Sequence, residues 1–157
     1  MKKILFIASI MLFIQIFQYA KELEKEKIVI FDFNANGVTK EIALAVTESI
    51  ITEIVNLEDY IVIERNQLNK IYEELKLTAS EDFSESNVIE IGKLAKAKIA
   101  LIGSISKIKN EIIINARLIN IETGAILFAE KTKAKSETEI DKAVEKLIKI
   151  MFEDEDE

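Results

Sequence analysis

The sequence predicts a single α/β domain, in which helices cover one mixed sheet of about five strands in the order β-α-β-α-α-β-β-β-α. Short apolar runs rich in β-branched and aromatic residues are typical of buried strands. They alternate with segments whose apolar residues lie three or four positions apart, which is typical of amphipathic helices. Strands joined through helices are expected to be parallel, whereas the last strands follow one another through short turns and are predicted to be antiparallel.

The first predicted strand is the apolar run "KIVIFDF" at 27–33, and residues 34–37 form the turn after it. An amphipathic helix is predicted over 39–57, with Thr39 as its N-cap. Its buried stripe has a four-residue spacing and consists of Ile42, Val46, Ile50 and Ile54.

The second predicted strand is "YIVIE" at 60–64, followed by a helix over 66–75. Residues 76–86 form the most polar loop of the chain. Ser84 or Ser86 can cap a third helix. The apolar face of that helix consists of Val88, Ile91 and Ala95.

The third strand is predicted over 98–108, and Lys109-Asn110 forms a tight turn into the strand 111–121. Apolar residues alternate with others along 111–121, which indicates an antiparallel strand with one half-exposed face. The turn "ETGA" leads into the last strand, "ILFAEKTKAK". The final helix carries an apolar stripe of Ile140, Val144, Leu147, Ile148 and Met151.

Residues 1–20 have the three-part form of a secretory signal peptide, with two lysines, an apolar core at 4–14 and a more polar end. Export with cleavage is predicted, and an uncleaved N-terminal anchor is the alternative. Gln15 and Gln18 interrupt the segment, while a bilayer span needs about 20 apolar residues. A charged lead at 21–26 follows. The rest of the chain has no stretch long and apolar enough to span a bilayer as a helix.

Composition argues against catalysis and against nucleic acid as a partner. The chain has a net charge of −7 and no basic patch, although phosphate neutralisation supplies much of the affinity for nucleic acid. Cysteine and histidine are absent, which removes thiol nucleophiles and the commonest general base and metal ligand. The four glycines form no phosphate-binding motif. No catalytic, cofactor-binding or metal-binding residue is predicted. The acidic run 153–157 is predicted to be a disordered tail.

Arg65, one of only two arginines in the chain, stands where a predicted strand becomes a helix. The carboxyl ends of the first two strands should bring it close to Asp32 and Glu64. The preferred interpretation is a structural ion pair, because a planar guanidinium binds a carboxylate through two hydrogen bonds. The alternative is a small anion or ligand site at this sheet edge, formed by Asp32, Asn34, Gly37 and Arg65.

Four segments resemble the CsgG family, that of the curli production assembly/transport component. They are "IVIFDFNANG", "YIVIERNQLNKIYEELKL", "IGKLAKAKIALIGSI" and "ARLINIETGAIL", spread over residues 27–130. LpoB-type activators of penicillin-binding proteins, FlgO-type flagellar proteins and the N-terminal domain of TolB are similar as well. The resemblance assigns residues 27–152 to one CsgG-like domain.

The resemblance implies a non-enzymatic domain in the periplasmic space, with outer-membrane association as one form of the family, that binds envelope proteins or forms a homo-oligomer. In the secretion channels of the family, a ring of subunits forms a pore from two long hairpins each. This sequence departs from that plan, because it has only a tight turn at 106–111 and a short connection after "ILFAE". It also lacks the cysteine that carries the lipid. We therefore expect that the protein does not form a pore alone.

The leading hypothesis is an exported envelope protein that acts through protein contacts in assembly or transport of surface material. An activator that docks on a peptidoglycan synthase is the alternative. An exposed strand edge can pair with another chain, so the edge of the hairpin strands is one candidate contact. The polar loop is the other, although a solvated connection is the simpler interpretation. Its candidate residues are Lys76, Thr78, Glu81, Asp82, Phe83 and Glu85.

Overall fold

The computed structural model of the protein describes residues 25–77 and 84–152, which form six strands and four α-helices. The strands are β1 (Glu26–Ile30), β2 (Asn34–Asn36), β3 (Tyr60–Val62), β4 (Ile99–Ile108), β5 (Glu111–Asn120) and β6 (Ile126–Ala134). The helices are α1 (Lys40–Asn56), α2 (Arg65–Leu75), α3 (Glu85–Leu94) and α4 (Ile140–Phe152), with a 3-10 turn at Glu137–Glu139 before α4. Among these residues, no helix combines the length and the apolar character that crossing a membrane requires.

The strands form one mixed sheet in the order β3-β1-β4-β5-β6, and β2 pairs with the second half of β4. β1 lies parallel to both β3 and β4, and β2 is also parallel to β4. β4, β5 and β6 are consecutive antiparallel neighbours. This confirms the predicted fold class, with parallel strands where helices intervene and antiparallel strands where short turns do.

The connection between β1 and α1 differs from the prediction of one strand over 27–33 and a turn at 34–37. β1 ends at Ile30, and the chain pairs again as β2 before Gly37, which has a positive φ of 72°. The interruption centres on Phe33, whose backbone N–H donates to Thr47 Oγ1 at 3.1 Å. The ring of Phe33 occupies the space that a side chain at Gly103 would need. Six strands result where about five are predicted.

The predicted helix caps are present. Thr39 Oγ1 accepts a hydrogen bond from the N–H of Ile42 at 3.4 Å, and Ser84 Oγ accepts one from Asn87 at 3.3 Å. α2 begins at Arg65, one residue earlier than predicted, and its N-cap Glu64 makes no side-chain capping bond.

Two hydrophobic cores lie on opposite faces of the sheet. α1 and α4 cover the first face, and their buried residues include Val46, Ile50, Val144 and Leu147. α2 and α3 cover the second face, where Leu68, Ile71, Val88 and Ile91 pack against Val29, Phe31 and Ala100. The predicted apolar stripes of α1, α3 and α4 therefore face the sheet, except for Ile42 at the start of α1, which is half-buried.

Among residues 25–77 and 84–152, helices cover only half of the second face. The second half of β4 and most of β5 and β6 lie beyond α2 and α3 on this side, and their side chains there are half-buried or exposed. We call this surface the open face. Its residues are Asn34, Asn36, Ile102, Ser104, Ser106, Ile108, Glu111, Ile113, Asn115, Arg117, Ala129, Lys131 and Lys133.

Several predicted segments lie outside the described residues: the signal peptide at 1–20, most of the charged lead, and the acidic tail at 153–157. Glu26, which the prediction assigns to the charged lead, is the first residue of β1.

Candidate functional site

Arg65 joins the two helical layers at the carboxyl ends of β1 and β3. Its Nη2 lies 3.0 Å from Oδ1 of Asp32, and its Nη1 donates to Oδ2 of the same carboxylate at 3.3 Å. Nη2 also donates to Oε1 of Glu48 at 2.8 Å. Asp32 follows β1, Glu48 lies on α1 and Arg65 begins α2, so one guanidinium connects three elements.

Glu64, the other predicted partner of Arg65, is exposed and makes no ion pair with any described residue. The second carboxylate that binds Arg65 is instead that of Glu48, a contact that was not predicted from the sequence. The only local feature of Glu48 is an exposed position on an amphipathic helix, which many glutamates share. The contact depends on how α1 packs against the end of the sheet.

Tyr72 lies beside this cluster and shares with Asp32 and Arg65 a hollow of about 160 Å³. Burial raises the pKa of Tyr72 to about 12, the charge of Asp32 adds to the increase, and that of Arg65 opposes it. Two carboxylates surround one guanidinium here, so the cluster carries a net negative charge. Such a charge disfavours binding of an anion.

The residues of the alternative anion site are not all brought together. Asp32 and Arg65 are in contact, but Asn34 lines a different hollow. Gly37 lies against the backbone of Lys107 at the far end of β4.

The predicted partner-binding loop falls mostly outside the described residues, including Thr78, Glu81, Asp82 and Phe83. Lys76 ends α2 in a left-handed conformation with a φ of 55°, and Glu85 is the first residue of α3. The polar loop is thus shorter than predicted at its C-terminal end.

The open face carries a polar row that crosses four strands. Asn34 is in register with Ser104, Ser104 with Asn115, and Asn115 with Lys131. Arg117 lies on the same side of β5, two residues from Asn115, and is paired with Ile102 of β4. Except for Lys131, these residues line a shallow hollow of about 250 Å³ together with Gly103.

Charges on the open face are mainly positive. Arg117 has no ion pair with any residue in the described ranges, whereas Lys133 Nζ binds Glu111 Oε2 at 3.0 Å. The alternating pattern of 111–121 already predicts the exposed side of β5. The row itself depends on strand register, which the sequence does not specify.

β6 forms one edge of the sheet, as expected for the hairpin strands. Its edge is partly protected, because the N–H of Lys131 donates to Oε1 of Glu130 at 2.7 Å. At the start of the strand, Ile126 and Leu127 are both about half exposed, at 54% and 52%. Within 25–77 and 84–152, no three acidic side chains are placed to hold a metal ion.

Comparison with known protein families gives a match over residues 12–112 to CsgG, the curli production assembly/transport component. The fourth segment that resembles the family, 116–127, lies beyond this match. A search of curated protein sequences finds no match.

Solved structures share the fold at low identity. The LpoB C-terminal domain from Salmonella enterica has a TM-score of 0.62 and 19% identity, and the match covers 71% of this chain and 83% of that one. Lipoprotein GNA1162 from Neisseria meningitidis has a TM-score of 0.59 and 11% identity, with 69% and 79% covered. A PelC dodecamer from Paraburkholderia phytofirmans has a TM-score of 0.57 and 8% identity, with 80% and 87% covered. At such identities, the likeness is one of fold.

Proposed function

The chain belongs to the CsgG family, and from this we propose that it is an exported, non-enzymatic protein of the cell envelope. It acts through protein–protein contacts in the assembly or transport of surface or secreted material. Its place is the periplasmic space, with association to the outer membrane through its partners.

The open face is the structural observation that supports this function best. Half of one sheet face has no helix on it among the described residues and presents polar, cationic and apolar side chains together. A sheet face of this kind is suited to contact another protein, because interfaces combine apolar and polar groups. The chain also has no histidine and no cysteine, which removes the commonest general base and thiol nucleophiles.

We further propose that the protein does not form a pore alone. β4 and β5 are joined directly by Lys109 and Asn110, and their pairing continues to Ile108 and Glu111 beside that turn. β6 is followed after Ala134 by the 3-10 turn that leads into α4. Neither the turn between β4 and β5 nor the segment after β6 contains an additional long hairpin of the kind that forms the pore in the secretion channels of the family.

The test is the mass of the protein in solution, purified after expression of the full chain and measured by light scattering after size exclusion, with and without detergent. We expect a monomer or a small oligomer that captures one or a few envelope proteins from membrane extracts. A ring-sized species would contradict the proposal that the protein does not form a pore alone. A protein that captures nothing would contradict the role in protein contacts.

An activator of a peptidoglycan synthase is the second candidate, and the likeness in fold to the LpoB C-terminal domain supports it. This second function predicts that the protein is a monomer, that it binds one purified synthase, and that it raises the reaction rate of that synthase. A self-assembled complex with no effect on any synthase of the same cell would exclude this candidate.

A further inference from the structure

The two arginines of the chain differ in what surrounds them. Arg65 is held by two carboxylates, whereas Arg117 points onto the open face and has no carboxylate partner in the described part of the chain. The chain otherwise uses lysine as its cation. A guanidinium offers planar, two-pronged hydrogen bonding to a carboxylate, which the ammonium of lysine does not.

Neutral hydrogen-bonding groups surround Arg117. Asn34, Ser104 and Asn115 line the same hollow and come from three adjacent strands. Their amide and hydroxyl groups can donate to oxygen atoms without adding charge. The single positive charge of Arg117 is balanced by one carboxylate, whereas a doubly charged phosphate would leave one negative charge unbalanced in this hollow.

The charge of the open face contrasts with that of the whole chain, which is −7. Lys131 and Lys133 extend the positive charge of Arg117 along β6. Of the carboxylates in the described part of the chain, only Glu111 lies on the open face, and Lys133 already binds it at 3.0 Å. Complementary charge steers association and selects partners, so this surface favours an acidic partner.

Apolar side chains lie on both sides of the polar row. Ile102 stands beside Arg117, and Ile113 lies two residues from Asn115 on the same side of β5. Ile108 is 57% exposed at the end of β4. In an extended peptide every second side chain would face the sheet, so a peptide whose facing positions carry an acidic and an apolar residue in turn would satisfy both kinds of group.

We propose that the open face binds an acidic, extended peptide segment of a partner protein, and that Arg117 holds one of its carboxylates. This inference rests on the proposed function in protein contacts and specifies the surface and the chemistry of the partner. Asn34, Ser104 and Asn115 orient the bound carboxylate, and Lys131 attracts a neighbouring acidic residue.

The test is a titration of the purified, isotope-labelled protein with a short synthetic peptide that repeats Glu-Thr-Val-Thr, so that glutamate and valine face the sheet in turn. Binding is followed by amide NMR shifts. We expect shifts at Ser104, Asn115 and Lys131, and no binding of the same peptide with glutamine in place of glutamate. Loss of a charged, two-pronged hydrogen bond weakens binding by about tenfold, so Arg117→Lys and Arg117→Gln should each show at least this loss. Lys146→Ala removes one charge from α4 on the covered side and should bind normally.

Three results would overturn the inference. The wild-type protein does not bind the peptide, or Lys146→Ala weakens binding as much as Arg117→Gln does, or inorganic phosphate displaces the peptide at equal concentration. A fourth result would also overturn it: self-association that is lost both in Arg117→Gln and on removal of residues 153–157 would make the acidic residues of a second copy the occupant. None of these results would contradict the proposed function, because that function is judged by mass and by captured proteins.

Discussion

At the scale of single residues, Arg65 is proposed to be a structural bridge. Arg65→Lys keeps the charge but cannot bind Asp32 and Glu48 in the same geometry. The side chains of Arg65, Asp32 and Glu48 are 44%, 29% and 61% exposed, so solvent screens the pair. We expect a loss of at most about 1 kcal/mol in the free energy of unfolding, measured with urea, and a smaller loss at high salt.

The same substitution at the other arginine is the matched control. Arg117→Lys should leave the free energy of unfolding unchanged, since no described residue forms an ion pair with the guanidinium of Arg117. An unchanged stability of Arg65→Lys together with weaker binding of a small anion such as sulfate would contradict the structural interpretation.

Tyr72 makes stability depend on alkaline pH. Its pKa is raised from 10.0 to about 12 in the folded protein, mainly by burial. Between these values the folded protein retains a proton that the unfolded chain loses, so stability falls as the pH rises through this range. Below about pH 10 the contribution of Tyr72 is fully present.

The absorbance of tyrosinate tests this prediction. The folded wild-type protein should show a tyrosinate component that titrates near pH 12, and Tyr72→Phe should reduce that component. The Phe variant should also lose less stability than wild type between neutral and alkaline pH. If Tyr72→Phe leaves the titration above pH 10 unchanged, burial does not raise the pKa of Tyr72 as described.

At the scale of secondary-structure elements, Thr47 connects α1 to the interruption between β1 and β2. It is fully buried, its hydroxyl donates to the carbonyl of Ala43 at 3.0 Å, and it accepts from the N–H of Phe33. Thr47→Val would leave that N–H buried without a partner, which costs about 1–3 kcal/mol of stability.

Thr47→Ser is the control for this prediction, because it keeps the hydroxyl and removes only a methyl group. Its loss should be smaller than that of Thr47→Val in thermal and urea unfolding. The reverse order would mean that packing of the methyl group, rather than the hydrogen bond, holds Phe33 in place.

At the scale of the whole molecule, stability is expected to decrease from the centre of the sheet to its edges. β1 and β4 have a neighbouring strand on each side and contain fully buried residues, including Val29, Ala100 and Leu101. β6 has one free edge and no helix on the open face among the described residues. Amide hydrogen exchange should therefore be slowest in β1 and β4 and faster in β6, because local opening is easiest where few groups are buried.

Equal protection of β6 and β4 would contradict this order. It would mean that the sheet opens only by global unfolding, or that a second molecule covers β6 in solution. Repeating the exchange at a lower protein concentration separates these two explanations.

Apolar periodicity was sufficient to predict all four helices closely. The helix predicted over 39–57 is found at Lys40–Asn56. Val46, Ile50 and Ile54 of its predicted stripe are buried, whereas the fourth residue, Ile42, is half-buried. The parallel and antiparallel pairings also follow from the sequence, because connection length limits which strands can be neighbours.

Features that depend on packing between distant segments could not be predicted. β2 contains only Asn34, Ala35 and Asn36, and it forms because β4 is long enough to pair with it beyond the end of β1. Glu48 meets Arg65 only after α1 and α2 have docked on opposite faces. The open face likewise depends on where α2 and α3 end, which no local pattern encodes.

The two ends of the described domain, at Glu26 and Phe152, both lie next to Tyr60. Glu26 is its partner in the pairing of β1 with β3, and the ring of Phe152 lies edge-on to its ring, with centroids 5.2 Å apart. A short linker between these ends would allow a circularly permuted chain, opened at Lys109 and Asn110, to retain every strand pairing. The same proximity suits the domain for insertion into a loop of a host protein, with Arg117 three strands away from the junction.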